Sequence, residues 1–494
     1  MTEDLSAVRE RVARELAAIV PGERTVLRDP EDLLAYGFDG TWYDQPPLIV
    51  VLPENADQVV AIHRLAARES IPLTPRGMGS GLSGGAVPAR GSIVLNVMRM
   101  NRILEIDVAN GVAVVQPGVV TADFQRAVEA RGLFYPPDPS SLRQSAIGGN
   151  IAETAGGARG LNYGVTRDYV MALAVVLPSG ALIRTGGKMV KNVTGYDLRS
   201  LFTGAEGTLG TIVEATLRLI PKPRYVATAS AAYAWIADAA RTVNAIMASG
   251  LVPTSIELLD RLTMQCVEEN RPLGLPVDSD AMLLFAVDGS HAGTVGDDVE
   301  TIARIAREHG ATAVTVAATN EEADRLWEAR RSVSPALARK RPHKLGEDIS
   351  VPRSAIAPMI ARVQDIAARH RLLIPLFGHA GDGNLHPNIL CDRRDADEML
   401  RVREAAREIF EAAVALGGTL SGEHGIGLLK KQFLELDIGT DALALMRAIK
   451  AAIDPQGIMN PGKIFPDAGG VDAFSLPPIA RGGGTTAARP ESPA

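Results

Sequence analysis

A glycine-rich stretch at residues 75–86, which reads PRGMGSGLSGGA, limits the local structures that this chain can form. Glycine adopts positive φ angles without steric cost and allows the backbone to approach a ligand closely. Gly79, Gly81 and Gly84 have the spacing G-x-G-x-x-G, and an acidic residue, Glu105, follows about twenty positions later. By spacing alone, this stretch could be a dinucleotide-binding turn.

The residues that follow the stretch argue against two familiar nucleotide-binding motifs. A dinucleotide-binding turn opens a helix, whereas residues 86–97 contain Pro88, Gly91 and the strand-like run SIVLNV. A Walker A loop continues with Lys and then Ser or Thr, but Gly85 and Ala86 stand at those positions. Two possibilities remain, which are a nest of main-chain N–H groups that holds an anion and a glycine-rich turn with no ligand.

Two further loops of small residues lie between strand-like runs and favour a bound ligand. One is PPDPSS at residues 136–141, and the other is GGNIAETAGG at residues 148–157. Three such loops expose more backbone than a single phosphate needs. A long ligand threaded through the domain fits better, and a flavin dinucleotide has a suitable length.

Composition and charge limit the partners and the compartment. The chain has 494 residues, of which 46% are hydrophobic and 22% charged, with a formal net charge of −7. These values are typical of a globular protein and argue against nucleic acid as a partner. Cys266 and Cys391 form no C-x-x-C pair, which argues against a disulfide framework and against an iron–sulfur cluster built by this chain alone. We expect a cytoplasmic protein with no transmembrane segment, and peripheral association with the inner face of the membrane remains open.

Four regions follow from the distribution of strand-like runs, helical patterns and Pro/Gly punctuation. Residues 1–45 form an N-terminal helical segment, and residues 46–223 alternate short strand-like runs with glycine-rich turns. A Pro-x-Pro pair at 221–223 marks a boundary, after which residues 224–465 contain longer amphipathic helices. Residues 466–494 are rich in Gly, Pro and Ser and are predicted to be disordered.

The sequence resembles the FAD-binding domain of the vanillyl-alcohol oxidase superfamily. The resemblance rests on PRGMGSGLSGGA, FYPPDPSS, SAIGGNIAETAGG and TGYDLRSLFTGAEGTLGTI, and it extends from about residue 20 to residue 466. Within the superfamily the chain is similar to glycolate oxidase flavoprotein subunits and to D-lactate and D-2-hydroxyglutarate dehydrogenases. The resemblance implies an α+β fold, with a two-part FAD-binding domain of the PCMH type followed by an α+β cap domain that contains an antiparallel sheet.

The resemblance also implies which residues contact FAD. The first glycine loop would bind the pyrophosphate, the next two loops would follow the cofactor, and Asn460 in the run NPGK would contact the flavin ring. The cofactor-binding residues predicted in this way are Arg76, Gly77, Gly79, Ser80, Gly81, Leu82, Ser83, Gly84, Pro139, Ser140, Ser141, Gly149, Asn150, Glu206, Gly207, Ile212 and Asn460. Superfamily members with covalent flavin often carry a histidine in the first loop. None stands there in this chain, so non-covalent FAD is predicted.

A polar constellation lies in the second half of the chain, in GHAGDGNLHPN at 378–388 and SGEHGIG at 421–427. His379, His386 and Glu423 make an N/N/O set suited to a divalent metal with open coordination positions. Their spacing is not that of a helical metal-binding pair, and spacing alone leaves ordinary histidines as the alternative. The resemblance implies that these three residues are metal ligands, and zinc, manganese and iron all fit the set.

Three further residues are candidates for the chemistry. His424 is predicted to be the general base, because an imidazole titrates near neutrality, and the alternative is a fourth metal ligand. A substrate carboxylate needs a cation, and the resemblance favours Arg330 and Lys344. Arg331 is expected to face solvent.

Together these features predict FAD-dependent oxidation of a small D-2-hydroxy acid, glycolate or D-lactate, to the 2-oxo acid, with hydride transfer from C2 to flavin N5. Electrons would pass to an external acceptor, which could be a quinone, a cytochrome, an electron-transfer flavoprotein or an iron–sulfur subunit. Two alternatives are a flavin-binding subunit active only within a multi-subunit glycolate oxidase and a redox-neutral transferase similar to alkylglycerone-phosphate synthase. A homodimer and a hetero-oligomer are both compatible with the sequence.

Overall fold

The computed structural model describes residues 5–467, and within them helices and sheets segregate into an α+β fold. The predicted fold class is confirmed. The sheets of this part of the chain have four, five and eight strands, with an additional two-stranded ribbon. The tail predicted to be disordered lies outside the described residues except for positions 466 and 467. Among residues 5–467, no helix is both long and apolar enough to cross a bilayer.

The first sheet and its helices occupy the N-terminal part of the described chain. In chain order they are α1 (Leu5–Ile19), β1 (Val26–Leu27), α2 (Pro30–Leu34), β2 (Ile49–Val51), α3 (Ala56–Glu69), β3 (Leu73–Arg76) and β4 (Ile93–Asn96). The strand order is β1-β2-β4-β3, and β4 is parallel to both β2 and β3. The side chain of Asn55 accepts a hydrogen bond from Gln58 N at 3.0 Å and so caps α3. Ile62 and Leu65 bury the apolar face of α3 against the sheet.

The second sheet is antiparallel and completes the N-terminal half. Its elements are β5 (Ile103–Asp107), β6 (Val112–Val115), α4 (Thr121–Glu129), β7 (Leu133–Phe134), α5 (Ile147–Glu153), α6 (Gly160–Tyr163), β8 (Val170–Val176), β9 (Leu182–Gly186), α7 (Leu198–Phe202), β10 (Thr211–Arg218) and β11 (Ile220–Pro221). The strand order is β5-β6-β10-β8-β9, and β7 pairs with β11. The buried His63 of α3 hydrogen-bonds to Leu177 O and to Thr211 Oγ1, both at 2.9 Å, and so ties α3 to the second sheet.

The third sheet is antiparallel throughout, as predicted for the cap domain. Its elements are β12 (Tyr225–Tyr233), α8 (Ile236–Ala248), β13 (Ser255–Asp260), α9 (Arg261–Asn270), β14 (Ala281–Gly289), α10 (Ala292–Glu308), β15 (Ala311–Val316), α11 (Asn320–Arg331), α12 (Val333–Lys340), β16 (His343–Gly346), β17 (Ile349–Ser350), α13 (Ile356–His370), β18 (Leu376–His379), β19 (Asn384–Cys391) and α14 (Ala396–Ala415). The order is β15-β12-β14-β13-β18-β19-β16, and β17 also pairs with β19.

Alternation along the strands gives the third sheet two different faces. Leu258 and Leu283 belong to a large core with α8, α10, α13 and α14, whereas Leu259 and Leu284 pack with α9 and α12 on the opposite face. Successive side chains of a strand point to opposite faces, so adjacent leucines pack in different cores.

The C-terminal segment returns to the first sheet after α15 (Leu434–Ile453). Leu73 N donates to Ile458 O at 2.7 Å, and Asn460 N donates to Leu73 O at 2.7 Å. Residues that follow the cap therefore lie along β3, next to the first glycine loop. This return places the C-terminal segment of the described chain beside the first glycine loop, where Asn460 Nδ2 donates to Gly85 O.

Candidate active site

A groove runs along the N-terminal half between the three loops that the sequence singled out. The first glycine loop connects β3 with β4, the proline–serine loop follows β7, and the second glycine loop begins in α5. Of the predicted cofactor-binding residues, those that line this groove are Arg76, Gly77, Gly79, Ser80, Gly81, Leu82, Pro139, Ser140, Ser141, Gly149, Asn150, Glu206, Gly207 and Ile212. The fold thus gathers positions that are up to 136 residues apart into one surface (212 − 76).

The glycines of this groove serve two different purposes. Gly79 has φ 71°, and a Cβ there would lie 2.1 Å from Nη2 of Arg76, so the turn itself requires glycine. Gly149 has no atom within 4 Å of a Cβ position, and at Gly81 the nearest is Glu153 Oε1 at 3.9 Å. These two glycines leave open space where side chains would otherwise stand. Such a backbone-lined space fits an extended cofactor, so the residues present suit FAD.

Asn460, which is predicted to contact the flavin ring, makes two hydrogen bonds to the backbone of the groove. Its side chain is buried, and its Nδ2 donates to Gly85 O at 2.9 Å and to Glu206 O at 2.8 Å. It therefore joins two walls of the groove from behind and does not line it. Contact of Asn460 with the flavin ring stays a prediction.

Ser83 and Gly84 also lie behind the groove and not on its surface. Ser83 is buried, and its Oγ donates to Glu153 Oε1 at 3.1 Å. A Cβ on Gly84 would lie 2.9 Å from Cβ of Leu428, so this glycine permits close packing against the C-terminal half of the chain. Both positions hold the loop in place, and direct contact of Ser83 and Gly84 with the cofactor stays a prediction.

Glu206 connects the groove with the loop that carries Glu423 and His424. Its carboxylate accepts from Ile426 N at 2.8 Å and from Gly427 N at 2.7 Å. A carboxylate that accepts two backbone N–H groups holds the loop in one position. Glu423 and His424 line the groove at this end.

Two histidines and a glutamate converge at the place predicted for the metal. Nε2 of His379 lies 3.3 Å and Nε2 of His386 lies 3.5 Å from Oε1 of Glu423. One donor atom from each residue lies within 4.8 Å of the others. His379 ends β18 and His386 lies in β19, where the antiparallel pairing of residue 379 with residue 384 places both imidazoles on one face. The hairpin of β18 and β19 therefore explains how His379 and His386 meet at one site.

The protonation of this group suits a bound cation. Burial lowers the pKa of His386 to about 3, which leaves its imidazole neutral near pH 7. Although burial opposes ionisation, the neighbouring His379 lowers the pKa of Glu423 to about 2. Burial likewise opposes protonation of His379, but the carboxylates of Glu257 and Glu423 raise its pKa well above the ordinary value. A divalent cation at Nε2 of His379 would take the place of that proton, so the donor set fits a metal.

Asp348 lies beside the same cluster but holds the loop through hydrogen bonds. Its Oδ2 accepts from Ser421 Oγ at 2.8 Å, Glu423 N at 2.9 Å and His424 N at 2.8 Å. Its Oδ1 lies 3.6 Å from Nδ1 of His386. Although Asp348, His386 and His424 also satisfy the distances of a metal group, the first role of Asp348 is to position the loop.

His424 stands where the groove meets a second, larger cavity. This cavity is lined by the predicted metal group and by the predicted cations Arg330 and Lys344. His424 and Glu423 line both the cavity and the groove. Burial lowers the pKa of His424 below its usual value, so its neutral imidazole can accept a proton.

The two predicted cations differ in how they are held. Nε of Arg330 donates to Glu257 Oε2 at 2.5 Å, and its guanidinium lies 4.8 Å from the ring centroid of Phe377. The hydrogen bonds among the described residues use only Nε of Arg330, which leaves its two terminal nitrogens for a ligand. Nζ of Lys344 donates to Ser334 Oγ at 2.9 Å, and burial lowers its pKa.

Arg331 is largely exposed and is paired with Glu328, in agreement with the expectation that it faces solvent. Both arginines line the cavity, but the side chain of Arg330 is only 14% exposed, compared with 53% for Arg331. Of the two adjacent arginines, the structure therefore offers only Arg330 as a buried carboxylate-binding group within the described chain.

Sequence analysis missed three buried charged residues around the cluster. Glu257 and Asp348 are fully buried, and Lys430 is 1% exposed. Nζ of Lys430 donates to Asp348 O and to Leu420 O, each at 2.8 Å. A signal for Glu257 did exist, since it is the acidic residue inside the apolar strand SIELLD, where an unpaired charge would be costly.

Comparisons with known proteins agree with this architecture. A family model described as "FAD binding domain" matches residues 47–186, and one described as "FAD linked oxidases, C-terminal domain" matches residues 222–464. The glycolate oxidase subunit GlcD of Bacillus subtilis is 50% identical over 87% of this chain and 92% of its own length. D-2-hydroxyglutarate dehydrogenase of Stutzerimonas stutzeri is 36% identical over 91% of this chain and 98% of its own. D-lactate dehydrogenase of Archaeoglobus fulgidus is 36% identical over 87% of this chain and 95% of its own length.

Solved structures share the fold at low sequence identity. p-Cresol methylhydroxylase superimposes with a TM-score of 0.78 and 18% identity, covering 92% of this chain and 96% of its own. 4-Ethylphenol oxidase from Gulosibacter chungangensis gives a TM-score of 0.77 and 20% identity, with coverage of 94% and 98%. At such identities the likeness concerns the fold alone.

Proposed function

This chain belongs to the FAD-linked oxidases of the vanillyl-alcohol oxidase superfamily, and we propose that it oxidises a small D-2-hydroxy acid to the 2-oxo acid. As a member of this family it is an FAD-dependent hydroxyacid dehydrogenase or oxidase. Glycolate and D-lactate are the proposed substrates, because relatives covering nearly the whole chain are named for them.

The observation that carries the proposal is the position of Glu423 and His424. Both residues line the groove that suits FAD and the cavity that contains Arg330 and Lys344. A substrate in that cavity would have its carboxylate near a guanidinium and its hydroxyl near an imidazole and a metal-type donor set. A 2-hydroxy acid is the small molecule that offers these two groups on adjacent carbons.

Each residue has a distinct task in the proposed reaction. Bound FAD would supply acceptance of the C2 hydride at N5, and a divalent metal, zinc, manganese or iron, would lower the pKa of the substrate hydroxyl. The metal would be held by His379, His386 and Glu423. His424 would take the hydroxyl proton on Nε2, the ring nitrogen 4.0 Å from Glu423 Oε1. The terminal nitrogens of Arg330 would grip the substrate carboxylate through two parallel hydrogen bonds, with Lys344 as a second cation.

We further propose that reduced FAD is reoxidised by an external acceptor, such as a quinone, a cytochrome, an electron-transfer flavoprotein or an iron–sulfur subunit. The relative from Bacillus subtilis is named as a subunit, which supports a partner protein. A cytoplasmic location, with or without peripheral membrane contact, remains part of the proposal.

Anaerobic reduction of the bound flavin tests the proposed substrate. Purified protein, loaded with FAD and Mn²⁺, is mixed with glycolate, D-lactate, L-lactate or D-2-hydroxyglutarate while the visible absorption band of oxidised flavin is followed. Rapid bleaching by glycolate or D-lactate, but not by L-lactate, is the expected result. Rapid bleaching by D-2-hydroxyglutarate alone would contradict the proposed chain length.

A second candidate is a flavin-binding subunit that turns over only with its partners, as the word "subunit" in the name of the Bacillus subtilis relative suggests. In the same experiment this candidate predicts yellow protein that none of the acids bleaches. Addition of the separately purified partner subunit would then restore bleaching. Reduction by the isolated chain would exclude this candidate.

A further inference from the structure

Glu257 connects the predicted carboxylate-binding residue with a predicted metal ligand. Its side chain is fully buried in β13, and its Oε2 accepts from Nε of Arg330 at 2.5 Å. Its other oxygen, Oε1, accepts from Nδ1 of His379, also at 2.5 Å. One carboxylate is therefore shared between two groups that belong to opposite ends of the proposed site.

The strand register of the third sheet brings Glu257 next to His379. Glu257 lies directly opposite His379 in the antiparallel pairing of β13 with β18, so their side chains leave the sheet on the same face. Arg330 reaches the same carboxylate from the last turn of α11.

We infer that Glu257 is a positioning residue that fixes Arg330 and His379 as one unit, so that the carboxylate-binding and metal-binding ends of the site keep a constant spacing. The inference about the substrate end rests on the function proposed above, whereas the metal end does not. Because Nδ1–H of His379 is directed to Glu257, Nε2 is the nitrogen presented to a metal. Because Glu257 takes Nε of Arg330, the two terminal nitrogens stay directed into the cavity.

A fixed spacing has a consequence for the substrate class. The carboxylate at Arg330 and the oxygen beside the metal group must belong to neighbouring carbons, since the bridge allows little movement between the two ends. A 2-hydroxy acid meets this requirement, whereas a 3-hydroxy acid separates the two groups by another carbon. Loss of the bridge should therefore weaken both ends and relax this preference.

The substitution Glu257→Gln tests the bridge in the FAD-loaded protein. Arg330 and His379 donate to different oxygens of Glu257, and glutamine has an NH₂ group in place of one of them, so one of these two hydrogen bonds is lost. Titration of metal-stripped protein with Mn²⁺ should show affinity reduced by about 10–100-fold. With the acid that bleaches the flavin of the wild type, KM should rise severalfold. The preference of the enzyme for glycolate over 3-hydroxypropionate should also become smaller.

A matched control is Glu398→Gln, which neutralises another buried carboxylate paired with an arginine. Glu398 accepts from Arg341 Nη2 at 2.6 Å in α14, away from the cavity. This variant should lose stability but keep the Mn²⁺ affinity and KM of the wild type. Equal Mn²⁺ affinities for the wild type and Glu257→Gln would overturn the inference, because a purely structural role would leave metal binding unchanged.

A second variant covers the case in which Glu257→Gln does not fold. Glu257→Asp keeps the negative charge and shortens its reach, so it should fold, bind Mn²⁺ more weakly than the wild type and show a raised KM. Wild-type Mn²⁺ affinity in this variant would also overturn the inference. If Mn²⁺ binding responds as expected but no hydroxy acid bleaches the flavin, the bridge stands and the proposed function fails. If the acids bleach the flavin but the variants bind Mn²⁺ normally, the bridge alone fails.

Discussion

The imidazole rings of His386 and His424 lie parallel, with 5.3 Å between their centroids and an angle of 7° between their planes. His386 directs Nε2 to Glu423 at 3.5 Å, whereas Nε2 of His424 is 4.0 Å from the same oxygen. In the proposed mechanism these two rings have different tasks. His386 would bind the metal, and His424, which lines both the groove and the cavity, would accept the proton.

Replacement of His424 should separate chemistry from cofactor binding. In His424→Ala the flavin should bind as before, because the loops of the groove are untouched, while the rate of anaerobic bleaching should fall by roughly 10²–10⁴-fold. Stopped-flow absorbance measures the rate, and the absorbance ratio of flavin to protein measures FAD content. His291→Ala, at an exposed position before α10, should behave as the wild type. Bleaching at the wild-type rate would remove His424 from the mechanism.

Replacement of Gly79 should weaken FAD binding. A Cβ at this position would lie 2.1 Å from Arg76 Nη2 and the residue has φ 71°, so Gly79→Ala must displace the arginine or the turn. Fluorescence titration of the apoprotein with FAD should show affinity reduced by at least about tenfold, which corresponds to about 1.4 kcal/mol. Gly91→Ala is the matched control, because Gly91 has φ 76° but no atom within 4 Å of a Cβ. It should cost about 1–2 kcal/mol of stability and leave FAD affinity unchanged.

Arg330 and Lys344 should contribute unequally to substrate binding. Arg330→Lys keeps the charge but loses the planar pair of donors, so kcat/KM should fall by at least about tenfold. Lys344→Met should have a smaller effect, since Nζ of Lys344 already donates to Ser334. Steady-state kinetics with an artificial electron acceptor measures kcat/KM for both variants. A larger loss in Lys344→Met would reverse the assignment of the principal carboxylate-binding residue.

Metal removal should abolish bleaching without releasing FAD. Chelation should also lower the melting temperature, and Mn²⁺ at a hundredfold excess over its Kd should restore about 2.7 kcal/mol of stability. Differential scanning fluorimetry with and without Mn²⁺ measures this response. His386→Ala should show no stabilisation by Mn²⁺, because one of the two nitrogen donors is missing. A chelated protein that bleaches as fast as the untreated one would argue against a metal in the reaction.

The buried His63 predicts a pH dependence of stability that is unrelated to catalysis. Burial lowers its pKa to about 4 from 6.5, so the folded state binds fewer protons than the unfolded state between these values. The free energy of unfolding contributed by this residue is therefore fully present above pH 6.5 and is lost as the pH falls towards 4. That difference corresponds to roughly 3 kcal/mol, at 1.36 kcal/mol for each pH unit.

Urea denaturation at several pH values checks this dependence. His63→Gln should be less stable than the wild type at pH 7, because it cannot keep both hydrogen bonds, to Leu177 O and to Thr211 Oγ1. The difference between the two proteins should shrink as the pH approaches 4. A constant difference across this range would show that protonation of His63 does not govern acid sensitivity.

Local features of the fold could be predicted from the sequence because they depend on neighbouring residues. The cap-type residue Asn55 and the apolar spacing of Val59, Ile62 and Leu65 predict a helix, and the structure has one at Ala56–Glu69. The strand-like run SIVLNV contains a strand at Ile93–Asn96. The three loops of small residues do form one groove. A stretch without side chains marks a place where the backbone itself forms a surface, whatever the rest of the chain does.

The resemblance extended these predictions to particular residues, and their contacts with FAD stay predictions. Ser83, Gly84 and Asn460 lie beside the groove in sequence and space, yet they hold its walls from behind. A matching motif carries the position of a backbone segment. It does not specify which of its side chains face the ligand.

Residue type and local periodicity are enough to predict where this protein has glycine-rich loops, helices, strands and a group of potential metal ligands. Which buried charges meet depends on how distant strands pair. Glu257 and His379 are 122 residues apart, and they touch because β13 and β18 happen to pair in one register. A shift of that register by one residue would direct Glu257 to the opposite face of the sheet, because the side-chain period of a strand is two.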